Sequence, residues 1–304
     1  MAEDTYLQVL RRGSKVNATH GYKTKLLAIA SSNLGDLYLN EQRLDEAMEH
    51  FQRALKLNGE HDKDDDDIIR HNTLRNIGIT LGQQGKLIEA EEIFQRLLDE
   101  AQNAFGVGHE RQCGVLYDRA RAYLANGKYQ EALEDGKRAL DGYENTMGPK
   151  ATLTIMVVSV VGQCYMHLGK LHDAENFLQR ASEGCELLFG PAITSRIYAQ
   201  LHTLYSMGEL HQRQGRPEAA RELYLRALAG FQDLYSPSNI RCKDIQQRIA
   251  RLSPNPAQRE DGSNSASIES EVTKETTVSI PSSRTAKQKR RSTRFMDRLL
   301  RKSA

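Results

Sequence analysis

Small and bulky apolar residues recur along this chain at a nearly fixed distance. The small residues Gly35, Gly78, Ala120, Gly162 and Gly208 are spaced 43, 42, 42 and 46 residues apart. Three residues after each stands Tyr38, Leu81, Tyr123, Tyr165 or His211. Twelve residues after each comes an alanine: Ala47, Ala90, Ala132, Ala174 and Ala220. Four residues further on are Phe51, Phe94, Gly136, Leu178 and Tyr224, and three beyond those Ala54, Leu97, Ala139, Ala181 and Ala227. Steps of three and four keep such residues on one face of a helix. Between the two halves the chain reads Gln84-Gly85-Lys86, Asn126-Gly127-Lys128, Leu168-Gly169-Lys170 and Gln214-Gly215-Arg216. Glycine there suits the left-handed residue that ends a helix, and Pro217 suits the first turn of the next. The pattern therefore predicts five helix–turn–helix units. Small residues at each crossing let paired helices approach closely, and large ones fill the gap alongside. Repetition at such a period marks a solenoid, not a generic bundle.

The five units are expected at roughly residues 24–60, 65–106, 109–147, 150–190 and 192–236, within an array spanning 23–237. Ahead of them, residues 1–22 align with the second helix and loop of a unit and form an N-terminal half-repeat or cap. After them, residues 238–252 place Ile245, Ile249 and Leu252 on one face. This suits the capping helix that a solenoid needs over its last apolar edge. Ser253-Pro254-Asn255-Pro256 stops it. The fold class is all-α: an α-solenoid of five hairpins closed by a C-terminal capping helix.

The run Asn33-Leu34-Gly35-Asp36-Leu37-Tyr38, followed by Ala47, Phe51 and Ala54, resembles the signature of the tetratricopeptide repeat (TPR) family. The resemblance covers roughly residues 20–236, and it implies a right-handed superhelix. The period of ~42 exceeds the usual ~34. Each helix is then longer by about one turn, or ~6 Å. With the linkers Phe105-Gly106-Val107-Gly108-His109, Met147-Gly148-Pro149 and Phe189-Gly190-Pro191, the units resemble the kinesin light chain type of repeat. They also resemble repeat arrays at the C-termini of some large signalling ATPases.

In that family the first helices line a concave side that touches peptides. Carried over position by position, the resemblance implies Ser32, Asn33, Asp36 and Asn40 from the first unit. The second offers Asn72, Arg75, Asn76, Ile79 and Gln83, and the third Tyr117, Asp118 and Arg121. The fourth offers Met156, Ser159, Gln163 and His167, and the fifth His202, Tyr205, Glu209 and Arg213. The chemistry suits an extended peptide. Asparagine offers a donor and an acceptor to a backbone edge, arginine takes carboxylates in bidentate fashion, and tyrosine gives amphipathic contact area. Relatives that grip chaperone C-terminal tails use Lys and Asn, then Asn, then Lys and Arg. Here those positions hold Ser32, Asp36, Asn76, Gly114 and Asp118, so chaperone tails are disfavoured as ligands.

Charge shifts attention to the tail. The net charge of +2 hides a segment, Pro281 to Ala304, with nine Lys or Arg and one acid, Asp297. Within it Arg294, Phe295, Met296, Arg298, Leu299, Leu300 and Arg301 place apolar residues at i, i+3 and i+4 between arginines, predicting a basic amphipathic helix over 284–304. Such a helix suits an acidic membrane surface, a partner, the chain's own groove or, through Lys287–Arg291, a nuclear address or nucleic-acid contact. A merely solubilising tail is the plain alternative. Between array and tail, 11 of the 31 residues from Ser253 to Ser283 are Ser or Thr, which predicts a disordered linker.

Catalytic chemistry finds no foothold. There is no HExxH, phosphate-binding loop, GxSxG or dinucleotide fingerprint. Cys113, Cys164, Cys185 and Cys242 lack metal or disulfide spacing and read as small residues in helical seams. The acidic run Asp62, Asp64, Asp65, Asp66, Asp67 lacks the ligand spacing of a calcium loop. No cofactor, metal or enzymatic activity is expected, and nucleic acid is disfavoured as a partner. The expectation is a protein-binding scaffold or adaptor that takes a peptide or partner helix in its groove. The alternative is a regulatory adaptor targeted to membrane or nucleus by its tail. Without an apolar leader or spanning segment, the expected location is cytoplasmic, with a nuclear or membrane-peripheral pool through the tail.

Overall fold

The computed structural model describes residues 2–13, 20–58, 67–193, 198–234 and 239–252. The linker, the tail helix with Arg294 to Arg301, and Asp62 to Asp66 of the acidic run lie outside them. Everything regular among the described residues is α-helical. Five hairpins stack in order: α2 (His20–Asn40) with α3 (Leu44–Asn58), α4 (Asp67–Gln83) with α5 (Leu87–Phe105), α6 (Glu110–Ala125) with α7 (Tyr129–Met147), α8 (Thr152–His167) with α9 (Leu171–Ile193), and α10 (Tyr198–Arg213) with α11 (Pro217–Leu234). The helix α1 (Ala2–Gly13) packs against α2, burying Val9 and Leu10. At the other end α12 (Ile240–Leu252) buries Cys242 and Ile245 against α11, with Ile249 and Leu252 at the edge of the same cluster. This is an all-α solenoid. No helix among the described residues is long and apolar enough to cross a membrane.

The small-residue register is a steric device. A Cβ added at Gly35 would sit 2.6 Å from the ring of Phe51; at Gly78, Gly162 and Gly208 it would meet Phe94, Leu178 and Tyr224 at 2.8, 2.9 and 2.8 Å. Each of those four bulky residues is fully buried. The third hairpin inverts the arrangement: Ala120 faces the missing side chain of Gly136. The space above Gly136 is taken by Val161 of the next hairpin, whose Cγ2 lies 3.1 Å from where a Cβ would be. Bulk is therefore conserved at this seam but supplied from a neighbour.

Each hairpin turn ends its first helix with a left-handed residue. Gly85, Gly127, Gly169 and Gly215 have φ between 72° and 78°. The next amide closes a bond five residues back, as in Lys128 N–H to Tyr123 O at 3.0 Å, which satisfies a helix-end carbonyl. The first hairpin makes the same turn without glycine: Gln42 takes φ 63°, the one non-glycine residue at positive φ among those described. One expectation shifts. The Gly-Pro pair at Gly190 and Pro191 reads as a linker, yet α9 runs through it to Ile193. Pro191 falls in the last turn, where the lost donor affects a single helical bond.

Candidate peptide-binding groove

The first helices of the hairpins stand side by side, so equivalent positions of neighbouring units touch. Much of their polarity is spent on that contact. Ser32 Oγ lies 3.3 Å from Thr73 Oγ1, and Thr203 Oγ1 donates to Ser159 Oγ at 3.1 Å. Asn76 Nδ2 donates to Asp36 Oδ1. Arg75 Nε donates to Asp118 Oδ2 at 2.7 Å, and Arg75 also reaches Gly114 O at 3.4 Å. Gly114 leaves room for this: a Cβ there would lie 3.3 Å from the guanidinium carbon. Asp118 is only 3% exposed. Its charge, ahead of the cost of burial, holds the Arg75 guanidinium above its ordinary pKa. Arg213 bonds Glu209 Oε1 at 3.0 Å and His167 Nδ1 at 3.3 Å. Arg75, Asp118, Asp36, Asn76 and Arg213 thus tie one first helix to the next or brace one along its length.

Other candidates face open space. A cavity of about 320 Å³ lies on the concave side, lined by Gln83 of α4, Tyr117 and Arg121 of α6, Gln163 and His167 of α8, and His202, Tyr205 and Glu209 of α10. Ile79, Met156 and Ser159 also line it, at positions expected from the register. A second cavity of about 230 Å³ adjoins Asp36, Asn40, Asn76 and Gln83, and again Arg121. Asn33 and Asn72 line neither of these cavities. Small and apolar residues of the first helices that the register did not single out, such as Ala122, Val160 and Ser206, line the first cavity too, and one residue from outside the repeats, Arg241 on the first turn of α12, lines both. Only the capping register could have pointed to it. A third cavity, of about 270 Å³, is lined by Gln42 from the first hairpin turn together with Ile240, Arg241 and Asp244 of α12. The array therefore curls until its last helix faces its first hairpin across the groove.

Electrostatics follow from this enclosure. Burial, then the charges of Arg241 and Arg121, push His202 well below the usual histidine range. Its imidazole is neutral, and Nε2 accepts from Arg241 Nη1 at 2.9 Å. Burial also lowers His167, whose ring stacks on Tyr129 at 4.6 Å between centroids. Burial and a bond donated to Asp244 at 2.8 Å raise Tyr205. Among the described residues no group of three or more His, Cys, Asp or Glu side chains could hold a metal. All four cysteines are buried free thiols.

Burial raises the Asp36 carboxyl to about 6, and the Asn76 bond only partly offsets this. A raised carboxyl favours folding when protonated: its contribution is present below the unfolded value near 3.8 and is lost as pH climbs through about 6. Two units correspond to roughly 3 kcal/mol at most, and partial exposure reduces that to about 1 kcal/mol. Asp36→Asn is therefore expected to be more stable than the parent by ~1 kcal/mol at pH 8. Urea titrations should show the gap shrinking through pH 6 and gone at pH 4.

The family comparison agrees with this architecture. The tetratricopeptide repeat model matches residues 69–145 and 151–233, and a second model of that name matches 28–61. Among solved structures, a thermophilic TPR protein of Thermus thermophilus is 20% identical, covering 74% of this chain and 98% of that one at a TM-score of 0.51. BtubC (BKLC) from P. vanneervenii is 15% identical over 78% of this chain and 97% of its own, with a TM-score of 0.48. A putative kinesin light chain from Podosopora anserina, with nearly identical TPR-like repeats, is 19% identical over 63% and 89%, also at 0.48. No curated protein matches the sequence. With repeat matches over most of the array, hairpins in one register and a groove lined by first helices, this chain belongs to the tetratricopeptide repeat family.

Proposed function

We propose that this protein-interaction scaffold captures an extended segment of a partner protein in its concave groove. One observation carries the reading: a cavity of about 320 Å³ is walled by first-helix side chains from four consecutive hairpins. Among the polar groups of that wall, amides, hydroxyls and imidazoles outnumber the charged ones. Such groups match the alternating donors and acceptors of a peptide backbone, while Tyr117 and Tyr205 supply contact area. The shape suits a strand-like segment following the stack of repeats, with one hairpin reading each short stretch of it.

The test keeps the inter-repeat bonds intact and alters the cavity alone. Combining Tyr117→Ala with Gln163→Arg removes one aromatic wall and blocks the floor. Arg75 is unsuitable for this purpose, because reversing its charge would face Asp118 with a second anion. The double variant is expected to keep its helical circular dichroism while losing its bound partners in affinity capture, with affinity for any one of them falling at least ~10-fold. An unchanged partner set would overturn the groove reading.

A further inference from the structure

We infer that Asn126-Gly127, at the turn of the third hairpin, is a deamidation site gated by the seam between the second and third hairpins, and that its acidic product holds that seam open.

Among the hairpin turns only this one has the chemistry. The equivalent pairs are Glu41-Gln42, Gln84-Gly85, Leu168-Gly169 and Gln214-Gly215. Asparagine is among the chemically labile residues. Its amide lies one bond nearer the backbone than that of glutamine, so the next backbone nitrogen can close a five-membered ring on it. A following glycine puts no side chain in the way. The turn is open to water: among the described residues a Cβ built on Gly127 would meet only Tyr129 Oη, at 4.0 Å. In the reaction Gly127 N attacks Asn126 Cγ. A C–N bond forms as Cγ–Nδ2 breaks, Gly127 N gives up its proton, and Nδ2 leaves as ammonia. Water then opens the cyclic imide at either carbonyl, leaving aspartate or an isoaspartyl link. Nothing is oxidised or reduced, and water is the one co-reactant.

The closed fold restrains both reacting groups. Asn126 Nδ2 donates to Ala122 O and, across the seam, to Gly82 O, both at 2.8 Å, so the leaving group is held. Gly127 N–H, the nucleophile, donates to Leu124 O at 3.3 Å. The longer Gln84 and Gln214 amides reach instead to Asp45 and Glu175, on the second helix of the preceding hairpin. Asn126 reaches a first helix because α4 and α6 nearly touch there: a Cβ on Gly82 would lie 2.7 Å from Ala122 Cβ. Deamidation therefore waits until α4 and α6 separate. An aspartate at 126 then turns a carboxylate toward the same two carbonyls, acceptor against acceptor. An isoaspartyl link also lengthens the turn by one backbone atom. Either product resists reclosure of the seam. Gln83, Ala122 and Ala125 line the concave cavity, so the change reaches the groove wall.

The test incubates the full chain in mildly alkaline buffer beside a synthetic peptide of residues 120–131. Proteolysis and mass spectrometry follow conversion of Asn126 and separate aspartyl from isoaspartyl product. Conversion in the folded chain is expected to be at least ~10-fold slower than in the peptide, as for a site exposed only by local opening. Gly82→Ala, which forces the helices apart at that one point, should recover most of the difference. Asn58-Gly59, the chain's other such pair, should convert unchanged in the same digests. Urea below the unfolding transition should also speed Asn126 in the parent chain. For the product, Asn126→Asp should lower the urea midpoint further than Asn126→Ala, which removes the bridge without adding a charge. Circular dichroism of each variant controls for folding. Equal conversion in chain and peptide, or a folded Gly82→Ala chain converting no faster than the parent, overturns the gating. If Gly82→Ala does not fold, a parent rate unmoved by urea does so. Asn126→Asp no less stable than Asn126→Ala overturns the claim that the product holds the seam open.

Discussion

Phe94→Ala is expected to destabilise the protein by about 3–5 kcal/mol, the range for emptying a well-packed aromatic site. The ring is fully buried, and it presses on Gly78, where even a Cβ would come within 2.8 Å. Removing it leaves a void between two helices whose approach depends on that glycine. Backbone on one side and a full cluster on the other leave little room for collapse. The site lies in the second of five hairpins, inside the largest apolar cluster, so the damage reaches both neighbours. Units in such a stack are stabilised mainly by their interfaces with the next. Chemical denaturation should show a lower midpoint, together with a shallower slope as the first two hairpins uncouple from the rest. A loss below ~1 kcal/mol would mean that the ring does not hold this seam.

The second large effect lies at the hairpin where bulk is missing. Beside Ala120 and Gly136 sit Arg119 and Asp135, joined in bidentate fashion at 2.6 and 2.9 Å. Their side chains are 13% and 6% exposed. Taking one member from such a pair leaves an uncompensated buried charge, at a cost of about 3–5 kcal/mol. Arg138 stands 3.7 Å from Oδ1 of the same carboxylate but is 57% exposed, so its help is modest. Arg119→Ala is therefore expected to cost ~2–4 kcal/mol in urea denaturation. Replacing both partners, with Arg119→Met and Asp135→Leu together, should recover most of that loss, since no charge is then stranded. If the double variant is no better than the single, the pair acts through packing of the arginine stem instead.

The solenoid was legible because its determinants are local. A glycine that must admit Phe51 or Phe94, and a glycine that must turn left-handed, both leave a mark at a fixed offset. The third hairpin shows the same logic one step removed. Gly136 breaks the pattern, and the residue that compensates, Val161, sits 25 positions on, beyond any local window. The groove was half legible. Position alone put Arg75 and Arg121 on one face as two carboxylate binders. It did not reveal that Asp118, one residue more than a period further on, comes level with Arg75 and claims its charge. A 42-residue repeat makes such pairs neighbours, so inter-repeat bonding claims positions that the proposed groove would otherwise offer to a ligand. Arg241 was beyond reach for another reason. Its place in the groove depends on the accumulated rotation of five units, and no single unit carries that sum.

Gln42 points to what this rotation implies. A solenoid is ordinarily open-ended, and a further copy lengthens its surface without changing the copies already there. In this chain the turn at Gln42 and the start of α12 share a cavity. Inserting or deleting one hairpin would carry α12 past that turn or short of it, and the cavities that Arg241 lines would lose a wall. The number of repeats therefore shapes the proposed groove, as much as any side chain that lines it.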